Sequence, residues 1–288
     1  MPLAILLALF FCSGACGLLY QVLWLRLLSL VFGVTVYAAS TVLAAFMTGL
    51  ALGSVLAGRL LTRVRRPLLV FGIAEILIGL SALGTPLALD AAATVYQRLH
   101  QLNPDSLAVL TVARLVTGFA VLLVPTLLMG LTLPVLSASS IVRGSSFGTR
   151  VGALYAVNTA GAVTGAVLTG FFLIGAIGIA QSFRLGAALN VAVGLLALAL
   201  GRRVDDESAA APPGAEPERP VAPVDGRRRV PSSRVIGVVV AMSGFVALAL
   251  EILWFRMLLQ YLAATTYAFT TMLATVLAGI AIGGAVSA

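Results

Sequence analysis

The sequence has no lysine, one histidine and two cysteines, and only 10% of its 288 residues are charged. Each scarcity removes a class of chemistry. With His100 as the lone histidine, histidine-based catalysis and multi-histidine metal sites within the chain are excluded. Cys12 and Cys16 sit four apart inside one apolar run, where a disulfide or a metal would need partners that the local sequence does not supply. They read as small packing residues, the usual fate of buried free cysteine. No convincing strand precedes a glycine-rich phosphate loop. No catalytic residue, metal or cofactor is therefore expected in this chain.

What replaces charge is grease. The chain is 60% hydrophobic with mean hydropathy +1.10, whereas soluble domains hold roughly 45–50% apolar and about 25% charged residues. Lipid is the expected solvent and the bilayer the expected partner. A helix needs about 20 residues to cross the hydrocarbon core, and its backbone must be satisfied internally. Apolar runs predict eight spans near 3–30, 36–60, 67–89, 108–137, 151–174, 180–200, 235–260 and 266–288. The expected fold is an all-α polytopic bundle.

The net charge of +8 would suit nucleic acid, but the arginines gather in short gaps between spans, which makes them a topology signal instead. Arg59, Arg63, Arg65 and Arg66 follow the second span, Arg143 and Arg150 the fourth, and most of the others the sixth. Basic loops stay inside, so the N-terminus and the even-numbered gaps are expected in the cytoplasm. The start, Met1-Pro2, carries no positive charge, and the apolar stretch runs on past Ser13-Gly14-Ala15-Cys16, so a retained helix is expected rather than a cleaved leader. Residues 201–234 hold Asp205, Asp206, Glu207, a Pro/Ala tract and Arg227, Arg228, Arg229 and Arg234, with almost no large apolar side chain. Such composition predicts a disordered cytoplasmic linker. Its arginines also suit anionic headgroups.

Laid over itself, the sequence aligns Ser13-Gly14 with Ser243-Gly244, Leu23-Trp24 with Leu253-Trp254, Arg26 with Arg256, Tyr37-Ala38 with Tyr267-Ala268, Gly49 with Gly279 and Gly53 with Gly283, without a gap. Six spans separate equivalent positions, so both copies enter the membrane in one direction, as parallel halves do in major facilitator architectures. This divides the chain into a six-helix half at 1–200, the linker at 201–234, and the first two helices of a second half at 235–288. Ala288 corresponds to Gly58, just ahead of the first half's basic loop, which predicts a fragment of a longer protein.

Ionisable groups within spans are costly and mark candidate sites. Glu75 lies in the third span among apolar neighbours. A proton-coupling or cation-binding role and a structural pairing with an Arg or a polar groove both remain open. Gln21 and Glu251, each followed by a tryptophan three residues on (Trp24, Trp254) and an arginine five on (Arg26, Arg256), are candidate substrate contacts. Residues three apart share a helix face, and a ring beside a carboxylate attracts cations; membrane-interface anchoring is the alternative. Arg114 opens the fourth span and suits snorkelling. Asn158 and Asn190 suit inter-helix hydrogen bonds, and Gly49/Gly53 and Gly161/Gly165 suit close helix packing.

Four strings resemble a known family: Ser13-Gly14 through Leu23-Trp24-Leu25-Arg26-Leu27-Leu28; Val36-Tyr37-Ala38 to Gly49-Leu50-Ala51-Leu52-Gly53-Ser54; Pro125-Thr126 through Met129-Gly130 to Pro134; and Leu154-Tyr155-Ala156-Val157-Asn158-Thr159 with Gly161. They are similar to the bacterial family that fuses a major facilitator-type membrane domain to a spermidine synthase domain. The resemblance covers the chain outside the linker. It implies a bacterial inner-membrane protein whose membrane part precedes a soluble C-terminal domain of methyltransferase-type α/β fold. That domain transfers an aminopropyl group from decarboxylated S-adenosylmethionine to a polyamine, and it is the implied partner within the same polypeptide. None of its residues is present, so no catalytic residue carries over, and whether the chain serves an enzyme stays open. The loop after the second span resembles the major facilitator signature in Gly58, Arg63, Arg65 and Arg66, but Thr62 stands where that signature usually has Asp. Three readings follow: a transporter-like domain for a polyamine or related cationic amine, an anchor for the synthase without transport, and a scaffold without substrate.

Overall fold

The computed structural model describes residues 2–32, 35–102, 107–143, 146–210, 233–262 and 265–287. They form helices α1 (Pro2–Phe32), α2 (Thr35–Leu60), α3 (Pro67–Leu102), α4 (Leu107–Ser137), α5 (Phe147–Leu168), α6 (Ile174–Ala210), α7 (Ser233–Leu258) and α8 (Thr265–Ser287), with a single π-helical turn, Thr169–Leu173, between α5 and α6. No strand occurs among the described residues. The polytopic all-helical bundle is thus the fold.

Seven described stretches are long and apolar enough to cross a membrane, and one of them, Phe147–Arg202, spans 56 residues. At about 1.5 Å per residue it is far too long for one crossing of a roughly 30 Å core. The chain reverses inside it at Gly178, whose φ of 79° and ψ of 172° are non-helical. Before the break, Gly161 and then Gly165 meet Phe11 and then Ala15, so α5 runs parallel to α1. After it, Gly194 meets Gly72 and Gly201 meets Leu68, so α6 runs antiparallel to α3. Two of the predicted spans are therefore joined by a turn so tight that the helix is interrupted at one residue. A positive φ is open to glycine without steric cost.

Helices extend beyond their apolar cores. The third span was expected to end near residue 89, yet α3 continues to Leu102; the linker was expected from residue 201, yet α6 continues to Ala210. Extending an existing helix is cheap compared with nucleating one. Linker residues 211–232 lie outside the described residues, as do the side chains of Arg114 in α4 and His100 in α3.

Proline inside a membrane helix frees a carbonyl that must find a donor. In α3, Pro86 leaves the Ala82 carbonyl without its helical N–H, and the Thr85 hydroxyl donates to it at 2.5 Å. That same hydroxyl then accepts from Trp24 Nε1 at 3.2 Å. A local defect in α3 thereby fixes a large aromatic of α1.

Packing follows a nested pattern. Gly49 and Gly53 of α2 lie against Thr126, Leu127 and Gly130 of α4, and Gly161 and Gly165 of α5 lie against Phe11 and Ala15 of α1. Each glycine pair brings two parallel helices to backbone contact, as small residues do in membranes. The α2–α4 and α1–α5 contacts are related like the two parts of an inverted repeat inside the six-helix half. Of the second half, α8 packs on α5 and the π turn, while α7 buries only Glu251 and Phe255 among its described side chains. Phe255 meets Phe269 of α8 edge-on at 5.5 Å.

A methyl group on Gly53 would lie 2.9 Å from Gly130 Cα, and one on Gly165 2.7 Å from Ala15 Cα. Gly53→Leu and Gly165→Leu are expected to lower the thermal midpoint of the detergent-purified protein, each by about 1–3 kcal/mol or more of overpacking. Gly58→Ala, which meets nothing within 4 Å, should leave it unchanged. A melting curve read by size-exclusion fluorescence checks all three.

Candidate functional site

Two polar constellations stand out in the helical bundle. The first lies within the six-helix half. Glu75 is fully buried. Its Oε1 accepts from Ser13 Oγ of α1 at 2.6 Å, and its Oε2 accepts from Asn190 Nδ2 of α6 at 2.5 Å. Asn190 Oδ1 in turn accepts from Tyr20 Oη at 2.8 Å. Every donor in the chain points toward the carboxylate, and three helices are tied through one side chain. Buried networks of this kind are strong when complete. Tyr20 is also stacked between Trp24, at 5.8 Å, and Phe183, at 6.1 Å.

Glu75 thus finds its partners in the uncharged Ser13 and Asn190, and no arginine takes part among the described residues. Of the two roles open for it, the geometry displays the pairing one: both oxygens are engaged. Asn190 and Asn158 each bridge helices, the latter by donating to the Phe10 carbonyl at 3.1 Å. Gly14 makes that approach possible, since a methyl there would lie 2.8 Å from Asn158 Nδ2.

Polar groups of a second kind occupy equivalent positions of the repeat and are not joined by any contact among the described residues. Gln21 is 1% exposed, and its Nε2 has no hydrogen-bond partner. Its equivalent, Glu251, is 6% exposed at the centre of the only stripe that α7 buries and makes no hydrogen bond among the described residues. Close by in sequence terms, Thr270 of α8 lies against Gly170 of the π turn, with its own hydroxyl unpartnered.

The tryptophans do not share one environment. Trp24 is fully buried, with its N–H given to Thr85, so it is a core side chain and presents no face to a substrate. Trp254 is 47% exposed and lines a groove of about 310 Å³ between α7 and α8 with Met257, Tyr261 and Met272. The shared acidic and aromatic face expected from the three-residue spacing is therefore not formed: Glu251 faces inward and Trp254 outward. Arg26 is half-buried in α1, and Arg256 is exposed in the last turn of α7.

The sequence marks Asn190 for an inter-helix hydrogen bond, but no pattern in it pairs Asn190 or Ser13 with Glu75. Ser13 and Tyr20 lie seven apart, two turns along one face of α1, and that polar pairing in an apolar helix was the available signal. Arg184 is an exposed arginine inside the sixth span.

Asn190 holds both Glu75 and Tyr20, so Asn190→Ala is expected to destabilise more than Ser13→Ala. Leaving buried polar groups unsatisfied costs about 1–3 kcal/mol each. A Tyr20→Phe/Glu75→Gln double-mutant cycle on thermal stability should give a non-zero coupling, because the two act through one amide.

Comparison with known proteins agrees with this architecture. No curated protein and no solved structure matches the chain. A family model described as Major Facilitator Superfamily matches residues 5–288, which is nearly the whole sequence and includes the six-helix half, the linker and both helices of the repeat. With its parallel restart after six membrane helices and its helical bundle, the chain belongs to the Major Facilitator Superfamily as a membrane transporter-like domain.

Proposed function

We propose that this membrane domain carries a small organic cation of the polyamine class, with Gln21 and Glu251 facing the path between the two halves and Glu251 neutralising one amine. The observation that supports this reading is the matched pair itself. Equivalent positions of the repeat, Gln21 in α1 and Glu251 in α7, are both buried; Gln21 Nε2 has no hydrogen-bond partner and Glu251 makes no hydrogen bond among the described residues. A carboxylate in a membrane persists only when something compensates it, and a substrate ammonium does so on binding. Parallel repeats that rock about a shared site supply alternating access.

On this reading Glu75 is not a substrate contact. It locks α1, α3 and α6 together so that the first half moves as one body, with Trp24 and Asn158 serving the same rigidity. Arg26, Arg256 and Arg114 act as interface residues. The polyamine element rests on the resemblance carried by the Ser13–Leu28, Val36–Ser54, Pro125–Pro134 and Leu154–Gly161 strings. The same resemblance supports a polypeptide that continues into an aminopropyltransferase domain, seated in a bacterial inner membrane. The basic gaps after α2, α4 and α6 support a cytoplasmic N-terminus and linker. Transport next to a polyamine-making enzyme would couple synthesis to movement of its product or substrate.

The full-length protein in proteoliposomes is expected to accumulate labelled spermidine above empty vesicles. Glu251→Gln should cut that uptake by about tenfold or more, as loss of a buried charge partner does, while Glu75→Gln should act chiefly through stability. Uptake no greater than in empty vesicles, from protein that elutes as a folded species, would remove transport and leave the anchor reading.

A further inference from the structure

The tie that Glu75 makes between α1, α3 and α6 has no countercharge among the described residues. The side chain is fully buried, and the groups that hold its two oxygens, Ser13 and Asn190, are both neutral. The helices packed on α3 bring few titratable groups to face it. From α1 come Cys12, Cys16 and Tyr20, two thiols and a phenol, none of which can become positive. From α6 comes the Asn190 amide, while Arg184 and Arg202 of that helix are exposed. The one charged residue of α4, Arg114, stands near the end where α3 closes, whereas Glu75 is in the third turn of α3. On the α3 side, Arg65 and Arg66 precede the helix and Asp90 and Arg98 lie further along it, all four exposed.

An ionised carboxylate buried among neutral groups is poorly compensated, and such a group neutralises itself by taking a proton. The network has a place for one. Tyr20 Oη gives its hydrogen to Asn190 Oδ1 at 2.8 Å, so the amide nitrogen faces Glu75 Oε2 and can only donate. A proton on Glu75 must therefore sit on Oε1. There, at 2.6 Å, it meets Ser13 Oγ, and a hydroxyl accepts as well as donates. The hydrogen of Ser13 is then free to turn to the Leu9 carbonyl four residues back, the bond that Ser29 makes to Leu25 at 2.7 Å in the same helix. The neutral acid thus completes the network with no heavy atom moved. Ser13 is the one member that is only half-buried; Glu75, Tyr20 and Asn190 are buried.

We propose that Glu75 is a proton-binding site: at neutral pH the folded protein holds it as the neutral acid, with the proton on Oε1 donated to Ser13 Oγ and exchanged through Ser13. The tie between α1, α3 and α6 then depends on that proton. Removing it at alkaline pH leaves a charge among three helices that offer only neutral donors, and the junction loosens. The site lies within the first half, so the outcome of the spermidine assay has no bearing on it.

Infrared spectroscopy of the full protein in an ester-free detergent tests it. The spectrum of the wild type minus that of Glu75→Gln should show the C=O band of a protonated carboxyl at neutral pH. Raising the pH should abolish that band and put carboxylate bands in its place. Ser13→Ala should keep the band but shift it, because the acid O–H loses its acceptor. Glutamine repeats the donor and acceptor of the neutral acid, so Glu75→Gln should melt close to the wild type at neutral pH, and the wild type should fall below it as the pH rises. A fold that prefers the protonated form loses that advantage once the proton is gone. Should Glu75→Gln fail to fold, an apolar carbodiimide, which adds to carboxyl groups in their protonated form, should mark Glu75 of the wild type at neutral pH and not at alkaline pH. Carboxylate bands in the difference spectrum at neutral pH, an unshifted band in Ser13→Ala, a wild type that keeps pace with or gains on Glu75→Gln as the pH rises, or marking that is absent at neutral pH or equal at both would each overturn the assignment.

Discussion

Everything in this fold answers to one constraint: in hydrocarbon, a polar group left without a partner has no water to fall back on. The backbone meets it by remaining helical almost throughout. Where the helix fails, the failure is repaired locally. Pro86 strips the Ala82 carbonyl of its donor, Thr85 supplies one, and the repaired site then receives Trp24. The defect becomes a positioning device, because the hydroxyl that closes it is held in one orientation. Side chains obey the same rule at Glu75, whose two oxygens collect one donor from α1 and one from α6. Groups that break the rule among the described residues, Gln21, Ser139, Thr169 and Thr270, are few.

Small residues set how near the helices come, and nearness decides which polar groups can meet. Asn158 reaches the Phe10 carbonyl only because Gly14 offers no side chain in the way. Gly72 and Gly194 draw α3 and α6 together, which brings Asn190 within 2.5 Å of Glu75. Packing and hydrogen bonding are in this sense one mechanism: glycine removes bulk, dispersion holds the helices, and the amide and carboxylate select the register.

The membrane spans and the parallel restart were legible in the sequence, since each is a pattern along the chain: apolar length, and Ser13-Gly14 returning as Ser243-Gly244. Long-range pairing was not. Ser13 is 62 residues and Asn190 115 residues from Glu75, and no periodicity in one helix names the residue that faces it from another. The i, i+3 rule put Glu251 and Trp254 on a shared face, but three residues turn a helix through about 300°. That leaves them about 60° apart, which on a helix with a buried stripe as narrow as that of α7 is enough to leave Glu251 6% and Trp254 47% exposed. The eighth crossing was counted correctly from apolar runs, yet the turn that creates it, one glycine in an otherwise helical 56-residue stretch, left almost no polar trace.

The two copies of the repeat have diverged in a telling way. Gly49 and Gly53 return as Gly279 and Gly283, so the packing skeleton is kept, but Tyr20 returns as Leu250 and Gln21 as Glu251. Ser243, the copy of Ser13, is exposed. The network that rigidifies α1 thus has no counterpart on α7, while α7 acquires a charge where α1 carries a neutral amide. A symmetric pair of halves would present the same surface to a bound molecule from both sides. Here one half is tied together internally through Glu75, while the other buries a carboxylate that makes no hydrogen bond among the described residues.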